Sequence, residues 1–98
     1  MDLTIVIVSF KSEDILHRCI KSIDKKYPII VVENSIDNKL KLDLEHKYQN
    51  VNCILPKENL GYGGGNNLAL SKVTTNFALI LNPDVILEEN SIENFFIT

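Results

Sequence analysis

Leu3-Thr4-Ile5-Val6-Ile7-Val8-Ser9-Phe10 is apolar and largely β-branched at consecutive positions, with no alternation of polar residues. That pattern fits a strand buried on both faces, the condition of a strand in a parallel sheet covered by helices. The period then changes. Ser12 is placed to cap a helix, and Glu13 and Asp14 stand in its first turn, where negative charge meets the positive end of the helix dipole. Ile15, Leu16, Cys19, Ile20 and Ile23 recur at helical spacing. Pro28 closes the connection, and Ile29 to Glu33 is a second apolar strand. Strand, helix and strand make one β-α-β unit.

The same alternation continues to the end of the chain. Asn34-Ser35-Ile36-Asp37-Asn38 is polar turn chemistry. Leu40, Leu44 and Tyr48 follow at i, i+4, i+8 on a mostly charged helix. Val51 to Leu55 reads as a third, shorter strand closed by Pro56. The segment Lys57 to Gly65 holds all four glycines and reads as a loop, and Asn66 to Val73 reads as a short helix with Ala69, Leu70 and Val73 on one face. Phe77 to Leu81 is a fourth apolar strand, followed by Asn82-Pro83-Asp84. Ser91 is placed to cap a last helix carrying Ile92, Phe95 and Phe96. The expectation is an α/β fold: a Rossmann-like three-layer α/β/α arrangement with a mainly parallel four-stranded sheet and right-handed crossovers. Residues 1–98 form a single domain in this reading, a length with no room for a second.

Composition narrows the function. Hydrophobic residues are 45% of the chain, enough for a real core, and the net charge is -3 with no run of Lys or Arg. Nucleic acid is therefore not the expected partner. If the ligand is a nucleotide, backbone amides or a metal must meet its phosphates. Cys19 and Cys53 lie far apart and read as buried, reduced thiols. His17 and His46 read as surface helix residues without metal spacing. The apolar run near the N-terminus is too short for a signal peptide, and nothing approaches transmembrane length. The expected location is the cytoplasm.

Open parallel sheets bind ligands outside the carboxyl ends of their strands. The first strand delivers Ser9, Phe10 and Lys11 to that edge, and the second delivers Glu33, Asn34 and Ser35. The third delivers Glu58 to Asn67, and the fourth Asn82, Pro83 and Asp84. Gly61, Gly63, Gly64 and Gly65 allow positive φ and close approach of backbone amides to a ligand. The cluster is neither a dinucleotide fingerprint nor a P-loop: Asn66 occupies the third glycine position, and no Gly-Lys-Ser/Thr follows. Asp84 is a hard oxygen ligand suited to Mg²⁺ or Mn²⁺, set against a simple Asn-Pro-Asp turn. Glu33 is suited to accept a pyrimidine imide N–H, set against a solvated strand-end charge.

Together these segments resemble the family 2 glycosyltransferases of the GT-A fold. Val6-Ile7-Val8-Ser9-Phe10 is similar to their opening strand, and Val31-Val32-Glu33-Asn34-Ser35 to the second, with Glu33 at the position of a base-reading Asp. Asn59-Leu60-Gly61-Tyr62-Gly63-Gly64-Gly65-Asn66-Asn67 resembles the segment after the third. Leu81-Asn82-Pro83-Asp84-Val85 resembles the metal motif in its Asn-Pro-Asp form, as in the rhamnosyltransferase-like branch. The resemblance implies strand order 3-2-1-4. It implies that Ser9 and Phe10 line base and ribose, that Glu33 reads the base, and that Asn59, Gly61, Asn66 and Asn67 border the nucleotide and phosphates. Asn82 would lie near the ribose, and Asp84 would bind a divalent metal, Mg or Mn. The ligand would be a UDP- or dTDP-sugar.

The implied reaction is inverting sugar transfer. In that family the base and the acceptor surface lie downstream of the metal motif, so the expectation is a truncated GT-A unit, inactive alone, with no catalytic residue of its own. Glu88, Glu89 and Glu93 read as a solvated acidic face. Truncation implies an exposed apolar surface around Phe77, Leu79, Phe95 and Phe96 and self-association through it. A non-enzymatic α/β interaction module is the alternative. Its receiver-like form fits less well, because Pro56 and Ser9-Phe10 stand where acidic residues are needed.

Overall fold

The computed structural model describes residues 2–93. The order of elements is β1 (Leu3–Ser9), α1 (Glu13–Lys21), β2 (Ile29–Glu33), α2 (Asn38–Lys47), β3 (Val51–Ile54), α3 (Gly61–Leu70) and β4 (Phe77–Leu81). The strands form one sheet in the order β3-β2-β1-β4. Every neighbouring pair is parallel, with Ile5 beside Ile29, Ile29 beside Val51, and Leu3 beside Phe77. The three-layer α/β architecture and the 3-2-1-4 order expected from the sequence are both present.

The alternation of β1 explains why all seven of its residues are buried. Leu3, Ile5 and Ile7 face one side, where they pack with Leu16, Cys19 and Ile20 of α1 and Leu40 and Leu44 of α2. Val6 and Val8 face the other side and pack with Val32 and with Ala69 of α3. Each buried aliphatic side chain contributes about 1.5–3 kcal/mol relative to exposure. The central strand is thus held from both faces, which is why its sequence shows no alternation.

Several boundaries differ from the sequence reading. β1 ends at Ser9, and the chain turns through Lys11 in the left-handed region at φ 49°. Ser12 occupies the N-cap position but does not cap; its hydroxyl donates to the Phe10 carbonyl at 2.8 Å. Asp37 does cap α2, accepting from the Leu40 N–H at 3.1 Å. β3 stops at Ile54, before Leu55.

The largest correction concerns the glycines. Gly61 to Gly65 are the first half of α3, which ends at Leu70, not a loop ahead of a helix over 66–73. Glycine costs a helix about 1 kcal/mol per residue relative to alanine, so packing must offset it. A Cβ on Gly65 would lie 2.8 Å and 3.0 Å from the two methyls of Val8, and one on Gly64 would lie 2.9 Å from Leu60 Cβ. Gly65 is the glycine that lets α3 sit close on β1. Of the four, Gly61 is the one at positive φ, 70°.

β4 also differs. It ends the sheet among the described residues, and Phe77, Ala78 and Ile80 are exposed while Leu81 is buried. Phe95 and Phe96 lie outside the described residues. Ser91 is the first residue of a helical segment rather than its cap, and Ile92 is buried there.

Candidate functional site

The carboxyl ends of all four strands meet at one edge, and the element that starts there differs for each. At the end of β1, Ser9 is buried and continues the parity of Ile5 and Ile7, so its side chain belongs to the α1 and α2 face. It lies in register beside Glu33, whose parity follows Ile29 and Val31. The Ser9 hydroxyl is buried and has no partner. An orphaned buried hydroxyl is costly unless something else meets it. Phe10 follows, 48% exposed, with Lys11 Nζ 5.2 Å from its ring centre.

Glu33 is fully buried, unlike the solvated strand-end charge weighed for it from sequence. Its Oε1 accepts from the Ser35 hydroxyl at 2.6 Å and the Ser35 N–H at 3.2 Å, and its Oε2 accepts from the Asp37 N–H at 3.0 Å. A carboxylate has about four lone-pair sites, so one remains for a further donor. These bonds also hold Ile36 at φ 58°, a left-handed conformation that a β-branched residue seldom adopts. A depression of about 480 Å³ opens beside this loop, lined by Lys11, Ser12, Glu13, Ser35, Asp37 and Leu40.

The start of α3 forms the opposite side of the edge. Asn59 Oδ1 accepts from the Gly61 N–H at 2.8 Å. The next amides, of Tyr62 and Gly63, have no partner one turn back, as at any helix start. Open space surrounds Gly61 and Gly63. Asn66 is buried on the sheet side of α3, and its Oδ1 is the second orphaned buried atom among the described residues. Asn67, one position on, is exposed. The two asparagines are therefore not equivalent: one lies against the sheet and one faces outward. Ser9 and Asn66 also lie on opposite faces of β1.

After β4, Asn82 and Asp84 are exposed. The Asn82 carbonyl accepts from the Val85 N–H at 3.1 Å and from the Cys19 thiol at 3.9 Å. Burial, reinforced by the Asp84 charge, pushes the Cys19 thiol up to about 11. Burial likewise pushes Cys53 up to about 12. Both thiols are free and buried, and the raised values keep them protonated and unreactive.

Two groupings were not legible in the chain. His17 is partly buried rather than a surface residue. Its Nδ1 lies 2.7 Å from the Tyr48 hydroxyl and its Nε2 lies 3.3 Å from Asp43, joining α1 to α2. With Glu13 it makes a group of metal-ligand type, although Lys47 Nζ also sits 3.4 Å from Asp43. The Glu13–His17 spacing of four was readable, but the approach of Asp43 from another helix was not. Glu93 is not a solvated charge either. It pairs with Lys26 and accepts from the Tyr27 hydroxyl at 3.0 Å, and the Lys26 bond holds its carboxyl down at about 2.

Residues 4–96 match the family profile described as Glycosyl transferase family 2. The low-salt glycan biosynthesis hexosyltransferase Agl10 of Haloferax volcanii is 30% identical over 99 aligned residues, which take in 97% of this chain and 32% of that protein. The chain superimposes on the crystal structure of S. aureus TarS 1-349 with a TM-score of 0.79 and 21% identity, covering 97% of this chain and 31% of that one. The same TarS portion in complex with UDP gives a TM-score of 0.80 and 19% identity, with the same coverage. The chain therefore spans about a third of the length of these relatives. No helix among the described residues is long and apolar enough to cross a membrane.

Proposed function

The chain belongs to glycosyl transferase family 2, and from that premise we propose that residues 1–98 act as one unit binding the nucleoside-diphosphate-sugar donor of an inverting hexosyltransferase. One observation carries the reading: four strand ends bring complementary groups to a single sheet edge. The orphaned Ser9 hydroxyl and exposed Phe10 ring meet ribose and base, and the remaining acceptor site of Glu33 takes a pyrimidine imide N–H. Asn59, Gly61, Asn66 and Asn67 border the diphosphate, where the start of α3 offers free amides and a positive dipole end. Asn82 lies toward the ribose. The TarS structure solved with UDP supports a nucleotide of this type; dTDP fits the same contacts.

Asp84 offers a carboxylate, which suits a hard divalent cation. Asp84 stands in no group of three such ligands among the described residues, so the diphosphate oxygens must complete the set. A bound Mg²⁺ or Mn²⁺ would neutralise charge on the leaving diphosphate. The chain's own part is to hold base, ribose and phosphates so that the anomeric carbon faces an acceptor hydroxyl. Among the described residues we assign no carboxylate as base. Glu33 is taken up by its loop, Glu93 by Lys26 and Tyr27, and Asp84 by its role toward the metal. The 98 residues alone therefore bind donor without transferring sugar. A rhamnosyltransferase-like specificity, a cytoplasmic location consistent with two free thiols, and self-association through β4 belong to the same reading.

The test is calorimetric titration of UDP and dTDP, with and without Mn²⁺, into the chain and its Asp84→Ala variant. Metal-dependent binding lost in the variant is the expected result. Absence of binding for both nucleotides removes the donor-site reading. Sugar transfer by the 98 residues with donor and acceptor alone contradicts their inactivity.

A further inference from the structure

Asn34 has no part in the contacts above, yet it ties together three segments of the edge. Its backbone N–H donates to the Ser9 carbonyl at 2.8 Å. Its side-chain Oδ1 accepts from the Leu60 N–H at 3.2 Å, and its Nδ2 donates to the Gly61 carbonyl at 2.9 Å. The residue is buried, and Nδ2 packs so near α3 that a Cβ on Gly65 would lie 3.3 Å from it. A primary amide is the side chain that presents an acceptor and a donor on one rigid plane. Aspartate at the same length loses the donor, and alanine loses both.

We infer that Asn34 is a positioning residue that fixes the span between the two halves of the donor site. The ends of β1 and β2 meet base and ribose, and the first turn of α3 meets the diphosphate. The inference rests on the donor-site reading. A nucleoside diphosphate reaches both halves at once, so it binds well only when their separation is set beforehand. Leu60 and Gly61 are exposed, so water can replace the amide when it is removed. Loss of Asn34 therefore loosens the start of α3.

The experiment compares UDP with uridine, and dTDP with thymidine, on the wild-type chain, Asn34→Ala and Asn34→Asp. Circular dichroism confirms the fold, and Asn34→Asp, nearly identical in shape, serves if Asn34→Ala does not fold. The expected result is a loss of about tenfold in nucleoside-diphosphate affinity in either variant. Affinity for the nucleoside should stay within about twofold, while amide exchange at Leu60 accelerates. Equal weakening of nucleotide and nucleoside, or no change in either, overturns the positioning role. So does a wild-type chain that binds UDP and dTDP no more tightly than their nucleosides. A wild-type chain that binds none of the four removes the donor-site reading, and this inference with it.

Discussion

Gly63 and Gly65 stand two residues apart in α3, and alanine should act in opposite directions at them. A methyl group on Gly65 meets Val8 at 2.8 Å, and β1 beneath it cannot retreat. Gly65→Ala should destabilise by about 1–3 kcal/mol, the usual penalty of overpacking. Gly63 faces open space, so Gly63→Ala should stabilise by about 0.5–1 kcal/mol through helix propensity alone. Urea denaturation of both variants measures the contrast, and a shift of the same sign in each would remove the close-packing account. Ile36 gives a third case. It is exposed and left-handed at φ 58°, so Ile36→Asn should raise stability by about 1 kcal/mol, read as an increase in the urea midpoint. That the glycines matter was legible in the sequence. Which one uses its freedom of φ and which one its lack of a side chain depends on what lies opposite, and the sequence does not contain that information locally.

The join between α2 and β3 is where charge acts on whole elements. Glu45 on α2 accepts from the Cys53 N–H of β3 at 2.9 Å and pairs with Lys41 at 3.0 Å, and Lys41 in turn donates to the Cys53 carbonyl. The Cys53 N–H bond, aided by Lys41, holds the Glu45 carboxyl below its ordinary 4.5. A lowered folded-state value means the stabilisation is complete above that ordinary value and fades as pH falls through the lowered one. Glu45→Gln should cost about 1 kcal/mol at neutral pH, and the difference from wild type should shrink below pH 4.5. Thermal unfolding from pH 7 to pH 3 tests this; a pH-independent difference would assign the effect to shape rather than charge. Among the elements themselves, β2 and β4 were read to the residue because each is a continuous apolar run, although β2 is buried throughout and β4 is largely exposed. α3 was misread because glycine is a poor helix former, and only contact with β1 reverses that preference.

Across the whole molecule, coverage of the sheet is uneven. α1 and α2 cover one face and α3 the other, but β4 at the end of the sheet keeps Ala78 exposed and Ile80 41% exposed. The self-association proposed for this strand should appear as concentration-dependent sedimentation. Ile80→Lys should suppress it, because a charge on an edge strand opposes pairing with another chain. A monomer at every concentration would remove that proposal. By itself the sequence determined the layered α/β class, the parallel sheet and its strand order. The class and the parallel sheet follow from hydrophobic period and turn chemistry, which are local properties, and the strand order from the family resemblance. Only the tertiary structure decided that Glu33 turns back into its own loop, that Ser9 and Asn66 lie on opposite faces of β1, and that Asn34 bridges β2 to α3. The Asn34 bridge joins it to residues 26 and 27 positions away, and the faces of Ser9 and Asn66 follow from how the helices pack on the sheet. Glu33 meets donors two and four residues on because the turn after β2 folds back over it. Packing fixes each of these, not the hydrophobic period along the chain.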